Sequence, residues 1–181
     1  MSLPHLLLGL LSVDPLSGYD LNKQFNASLQ HFWTTDQSQI YRALHRMKAD
    51  GWVTIERVAQ SNNPDKKVYH LTEAGRAALH DWLCTPLEEE PPREAWLGQL
   101  FFAHNLTPIE VRALIDGYDA YLRTTIAQLE GLHHFLEPER KNPDLRMFFR
   151  LTTLDYGLAR HRFELDWLDD LRNRMAKHFP D

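Results

Sequence analysis

DQSQIYRALHRMKADG, residues 36–51, has the pattern of a short helix that offers its polar side to a partner. Ile40, Leu44 and Met47 recur at helical spacing and can anchor one side on a core. The other side carries Ser38, Gln39, Arg42, His45 and Arg46. Guanidinium, amide and hydroxyl groups suit phosphate oxygens and base edges. Tyr41 lies beside this face, open to a phosphate contact or to the edge of the core. Asp36 is placed to cap the helix and Gly51 to stop it.

Working outward, residues 52–58 (WVTIERV) and 66–71 (KKVYHL) alternate as strands, with the polar, turn-rich AQSNNPD between them. Helix, strand, loop and strand in that order describe a winged helix. Arg57, Lys66 and Lys67 near the loop, with Lys23 on the preceding segment, join the residues expected to face DNA. Upstream, PLSGYDLNKQFNASL (15–29) predicts a helix capped by Ser17, with Asp20 completing a near capping box. The segment from Pro4 to Leu11 is almost wholly apolar and predicts a buried helix. Trp33 reads as a core plug, and Tyr69 as a residue packed in the wing base.

GYDL (18–21), QIYRALHRMKADGWV (39–53) and KKVYHLTEAGRAAL (66–79) together resemble the PadR family of bacterial transcriptional regulators. LFF at 100–102, after a Pro-rich stretch and before long helices, resembles the longer subfamily with a virulence-activator-type helical C-terminal half. The resemblance covers nearly the whole chain. Met47 and Lys48 depart from the Leu-Glu pair frequent in related sequences; Met preserves the core contact, while Lys alters the charge offered to a backbone. The resemblance implies a mainly α protein, with an N-terminal winged helix-turn-helix bearing a two-stranded wing and a C-terminal long-helix dimerisation domain. It also implies a homodimeric regulator of double-stranded DNA, a repressor in the family-typical case. A small aromatic or phenolic effector would release it.

Composition is compatible with this. A chain of 181 residues, 43% hydrophobic and 11% aromatic, can form one large core or two small ones. One cysteine, Cys84, leaves no intrachain disulfide framework and no multi-cysteine zinc site, and fits a reducing cytoplasm. The opening LPHLLLGLL is too short to span a bilayer and lacks a basic leader, so a soluble cytoplasmic protein with no membrane partner is expected. The net charge of -5 opposes DNA binding at first sight. Up to Thr85, however, eight Lys/Arg balance eight Asp/Glu, and the remainder has twelve against seventeen, so the acidity lies in the second half. A neutral module whose cations share one face still binds, steeply with salt and best as a pair of copies.

The second half is built to form that pair. After a helix capped by Thr72, the three prolines and three glutamates within CTPLEEEPPR (84–93) break helical continuity. The division is therefore a DNA-binding domain over 1–85, a linker over 86–93 and a helical dimerisation and effector-sensing domain over 94–181. EAWLGQLFFAH (94–104) reads as a short apolar helix. Thr107, Pro108 and Glu110 open a long helix to about Glu137, with a core stripe from Ile115 through Tyr118, Leu122, Ile126, Leu129 and His133 to Leu136. Asn142, Pro143 and Asp144 open a last one toward Lys177. That helix carries two apolar stripes: Leu151, Leu154, Leu158, Leu165, Leu168 and Met175, and, rotated from it, Phe149, Tyr156, Phe163 and Trp167. Two stripes need two covers, and a partner chain is a natural second one. Leu151, Leu154, Leu158, Phe163, Leu165, Trp167 and Leu168 are the expected interface; one broad intramolecular bundle is the alternative. Trp96, Phe101, His104, Tyr156, Arg160 and His161 are candidates to line an effector pocket, with Arg160 or a histidine against a carboxylate.

Glu130 and His133 form an ExxH pair, the spacing used in di-iron bundles, but no second ExxH occurs; His161 and Glu164 run in the reverse order. No GxSxG, P-loop, GxGxxG or HExxH pattern is present, so no catalytic residue, metal ligand or cofactor is assigned. Two other classes remain: a winged helix that binds protein without DNA, and a metal-binding helical-bundle enzyme.

Overall fold

The computed structural model describes residues 3–59, 66–86 and 94–179. It divides into two compact units, up to Glu90 and from Pro91. Residues 60–65 of the expected wing loop and 87–93 of the expected linker lie outside the described residues.

The first unit contains α1 (Leu3–Leu11), β1 (Leu16–Ser17), α2 (Gly18–Ser28), α3 (Gln37–Ala49), β2 (Val53–Val58), β3 (Lys66–Leu71) and α4 (Glu73–Cys84). Leu7, Leu8, Leu21, Phe25, Ile40, Leu44 and Met47 bring the apolar faces of the first three helices into one core. The alternation of β2 and β3 turns Val53 and Tyr69 into that core. Ser17 caps α2, its hydroxyl receiving the Asp20 N–H and donating to the Asp20 carboxylate. Gly51 takes φ 73°, the left-handed conformation that lets the chain leave α3 and enter β2. His5 of α1 stacks on Trp82 of α4 with ring centroids 5.2 Å apart, closing the unit on its far side.

The two-stranded wing is present as β2 and β3, paired antiparallel along their length. The sheet has in addition a short third strand, in the order β1-β3-β2, because Leu16 pairs with Tyr69 and Ser17 with Val68. A two-residue strand is too short to leave a periodic trace in sequence. Its effect is to dock the wing base beside the start of α2.

The second unit contains α5 (Ala95–Phe101), α6 (Pro108–Phe135) and α7 (Leu145–His178), with short 3-10 turns at Ala103–Asn105 and Glu137–Lys141. Thr107 and Glu110 form the expected capping box on α6, and Asp144 caps α7. The two long helices pack through Ile126 and Leu129 against Leu151, Leu154 and Leu158, and through Ile115 and Leu122 against Leu168. Among the described residues, no helix is long and apolar enough to cross a membrane.

Beside this core, Asp119 is buried and accepts Arg123 Nε at 2.5 Å and Arg172 at 2.9 Å, while Arg172 also reaches Asp116 and Asp169. The Arg123 guanidinium, and then Arg172, hold the Asp119 carboxyl below the usual carboxylate range. A value lower in the folded than in the unfolded chain stabilises the fold at every pH above the unfolded value of about 4. That contribution is lost as the pH falls through the folded value. Asp119→Asn is therefore expected to lower the urea midpoint at pH 7 and to cost less at pH 3, below the unfolded value. An equal deficit at both would show that the carboxylate charge is not what matters.

Candidate nucleic-acid interface and ligand cavity

On α3, Ile40, Ala43, Leu44 and Met47 are buried, which turns Tyr41, Arg42, His45 and Arg46 outward. Arg42 donates to the Ser38 hydroxyl at 3.1 Å and has no acidic ion-pair partner among the described residues; nor do Lys23, Arg46, Arg57 and Lys67. Arg42 and Arg46 border a 420 Å³ groove with Trp33, Thr34 and Thr35, where guanidinium and hydroxyl donors share one concave wall. Trp33 packs on the core at its partly buried side, and Tyr69 is buried in the wing base.

Two expected DNA-facing side chains have a local task at the helix start. The Asp36 carboxylate accepts from the Gln39 N–H at 2.7 Å and from the Ser38 hydroxyl at 2.5 Å. The Gln39 side-chain oxygen accepts the Thr35 hydroxyl at 2.7 Å. A capping box uses these groups to satisfy the first turn of the helix. The free face is therefore shifted toward Arg42, His45 and Arg46. Tyr41 is exposed over Gly18, at the contact of α3 with α2.

On the wing, Lys66, expected at phosphates, is paired with Asp20 at 2.8 Å. The cause is β1, which places the start of β3 beside the α2 cap; Lys66 and then Ser17 hold the Asp20 carboxyl below its usual range. Arg57 and Lys67, by contrast, are directly opposed in the β2–β3 register and both exposed. Like charges facing across a ladder repel, and a bound anion relieves that repulsion.

In the second unit, α7 separates its stripes as the two-cover pattern requires, but four expected interface residues change role. Leu151, Leu154, Leu158 and Leu168 are buried inside the unit against α6. They have no surface left for another chain. Leu165 and Trp167 are half-buried in the same packing, and Phe163 alone of the seven is well exposed. Phe149 and Tyr156 are exposed with it.

The candidate effector residues do not converge on one cavity. Trp96 does line one, of 350 Å³, together with Leu100, Leu114, Ile115, Tyr118 and Tyr121. Phe101 and Tyr156 stand in solvent, and His104 is exposed beside Asn105. Arg160 is held between Glu164 and Glu94, at 2.9 Å from each, and His161 Nδ1 lies 2.9 Å from Glu164. Tyr118 and Tyr121 were legible only as part of an apolar helix; their spacing of three was the one available sign that their rings share a side. The ExxH residues are engaged elsewhere, Glu130 with Arg162 at 2.7 Å and His133 beside Glu137 and Asp155. Among the described residues no group of three or more acidic, histidine or cysteine side chains is arranged to hold a metal ion.

A winged helix with a cationic outer face on its third helix, joined in sequence to a unit of two long helices, defines a class of transcriptional regulator. The chain belongs to the PadR-like family of transcriptional regulators, whose profile matches residues 7–81; that of the virulence activator alpha C-terminal domain matches residues 92–176. It is 32% identical to the probable transcriptional regulator Rv1176c of Mycobacterium tuberculosis, over 98% of this chain and 99% of that one. It is 31% identical to the negative transcriptional regulator PadR of Bacillus subtilis, over 97% and 98%. The structure of Bacillus subtilis PadR with operator DNA superposes at a TM-score of 0.83, with 27% identity over 93% of this chain and 95% of that one. The structure of that protein with p-coumaric acid superposes at 0.75, with 26% identity over the same shares. The Vibrio cholerae virulence activator AphA superposes at 0.78, with 26% identity over 97% and 99%. The family is one of regulators, not of enzymes.

Proposed function

We propose that this protein is a cytoplasmic, homodimeric repressor that binds an inverted-repeat operator through α3 and the wing and is released by a planar aromatic effector. The observation that carries the DNA reading is the outer face of α3, where Arg42, His45 and Arg46 are exposed and neither arginine is in direct ion-pair contact with a described acidic side chain. Arg42 and Arg46 supply groove and phosphate contacts, with Arg57 and Lys67 following the backbone from the wing. Bacillus subtilis PadR, solved with operator DNA, supports the same use of this fold.

Dimerisation rests on α7. Phe149, Tyr156 and Phe163 recur every seven residues and are all exposed. That interval returns to one side of a helix and is the seam on which two helices pack. Adjacent exposed Leu145 and Phe148 extend the apolar surface toward the start of the helix. A second copy covers a self-complementary stripe at each end by two-fold symmetry and pairs two recognition helices for successive major grooves. An effector acts by binding better to the DNA-incompetent arrangement, which requires no chemistry.

Fluorescence anisotropy with the intergenic DNA beside the protein's own gene, paired with sedimentation equilibrium, tests both parts. Saturable binding at one dimer per inverted repeat is expected, with affinity falling steeply as salt rises. Phe163→Glu is expected to shift the protein to monomer and weaken operator binding more than tenfold. Equal affinity for operator and random DNA at low salt would instead make the winged helix a protein-binding module. A Phe163→Glu protein that stays dimeric would remove the α7 seam.

A further inference from the structure

The 350 Å³ cavity lies between α5 and α6, with Trp96, Gln99 and Leu100 on one side and Gly117, Tyr118 and Tyr121 on the other. Three of these residues form a ladder of near-parallel rings. Trp96 and Tyr118 have centroids 4.1 Å apart at 17°, and Tyr118 and Tyr121 have theirs 5.8 Å apart at 22°. Trp167 closes the ladder edge-on at the Trp96 end, whereas Tyr121 at the other end is exposed. The remaining lining side chains are aliphatic except Gln99, whose amide both donates and accepts hydrogen bonds. The volume falls in the range of small-molecule sites, and an apolar wall with few polar groups is what such sites present.

Gly117 keeps this space open. It stands in the interior of α6, where glycine costs helix stability relative to alanine. No close packing demands it: nothing lies within 4 Å of the position of an added Cβ, and its φ is not in the left-handed region. Gly117 and Tyr121 are one turn apart on the same face, so a side chain grown at 117 fills the space beside the Tyr121 ring. The other wall, α5, is lightly held. None of its residues is buried; Glu94 at its start pairs with Arg160 at 2.9 Å, and Trp96 rests on the ladder. Because α5 follows the linker directly in sequence, a ring inserted between α5 and α6 acts on the segment that leads to the DNA-binding unit.

We propose that this cavity is the effector site, that it takes a planar aromatic ring against the Trp96, Tyr118 and Tyr121 wall with a polar substituent toward Gln99, and that α5 carries the response. The proposal rests on the effector reading above and gives it a place and a mode of recognition, the flatness of the ligand, since flat rings stack on or meet edge-on the rings the wall offers.

2-Naphthol and decahydro-2-naphthol separate flatness from hydrophobicity, because both are uncharged at neutral pH, carry one hydroxyl and share a carbon skeleton that is planar only in the first. Calorimetric titration of the full-length protein is expected to show 2-naphthol binding about tenfold tighter, and Tyr121→Ala to narrow that gap about threefold. Gly117→Leu is expected to abolish 2-naphthol binding while raising the urea midpoint, since leucine replaces glycine at an exposed position within a helix. A loss of binding through misfolding would lower that midpoint instead. Saturating 2-naphthol is expected to weaken operator binding by the wild type and to change amide hydrogen exchange in α5, with neither effect in Gly117→Leu. Equal affinity for the two alcohols, no binding of either, or binding that persists in Gly117→Leu would overturn the proposal; operator release by 2-naphthol in that last case would keep the effector reading and place its site elsewhere. Binding lost in Gly117→Leu but without effect on the operator would overturn the effector role of this cavity. Binding seen only in the Phe163→Glu monomer would assign the cavity to a side chain of the second copy and overturn the proposal as well.

Discussion

Replacing Arg42 and Arg46 together by alanine is expected to weaken operator binding by about 100-fold or more, because each arginine contact to a base edge or phosphate is worth roughly 1–3 kcal/mol. Both side chains are exposed, and within the described residues the change removes the Arg42 to Ser38 hydrogen bond and the attraction of Arg42 for the capping carboxylate of Asp36 but no buried contact, so the winged helix keeps its core. Circular dichroism should be unchanged. Where both arginines contact phosphates, the slope of log affinity against log salt falls in magnitude by about 2. Where one reads a base, the slope changes by half as much and discrimination against a substituted operator declines as well. Unchanged affinity and slope in the double variant would show that α3 does not meet DNA.

Gly75→Ala is expected to destabilise the first unit by about 3 kcal/mol or more, although it adds a single methyl group near the start of a helix. A Cβ at Gly75 would lie 2.2 Å from the Trp52 carbonyl oxygen and 2.7 Å from the Leu71 side chain. The carbonyl cannot move aside, because it accepts the Thr72 N–H at 3.0 Å as β3 hands over to α4. Gly9→Ala is the control: in α1, with nothing within 4 Å of the added carbon, the same substitution is expected to raise stability by about 0.5–1 kcal/mol through helix propensity. Chemical denaturation of the two variants reads the difference. Equal effects would mean that the close approach of α4 to Trp52 relaxes at little cost.

Much of the framework of the candidate site was readable because its causes are local. Asp36, Ser17, Thr72, Thr107 and Asp144 each stand at a helix start whose first N–H groups need an acceptor, and each caps the helix expected of it. The spacing of Ile40, Leu44 and Met47 likewise dictated which side of α3 turns outward. Lys66 could not be assigned in this way. Its partner Asp20 is distant in sequence and arrives only through the pairing of β1 with β3, a strand of two residues with no pattern of its own.

The C-terminal unit divides in the same manner. Two apolar stripes on the last helix are a property of its order of residues, as are the capping box of α6 and the seven-residue recurrence of Phe149, Tyr156 and Phe163. Which stripe the chain itself covers was decided by the packing of α6 on α7, which buried Leu151, Leu154, Leu158 and Leu168, half-buried Trp167 and left Phe149, Tyr156 and Phe163 of the aromatic one outside. The same packing brought Tyr118 to Glu164, and α5 brought Glu94 and Trp96, so Arg160, already a neighbour of Glu164 one turn along α7, became the counter-ion of two carboxylates. Periodicity and capping act within a few residues of the chain and are written in it; neutralisation and burial depend on which distant side chain arrives, and only the tertiary structure determines that.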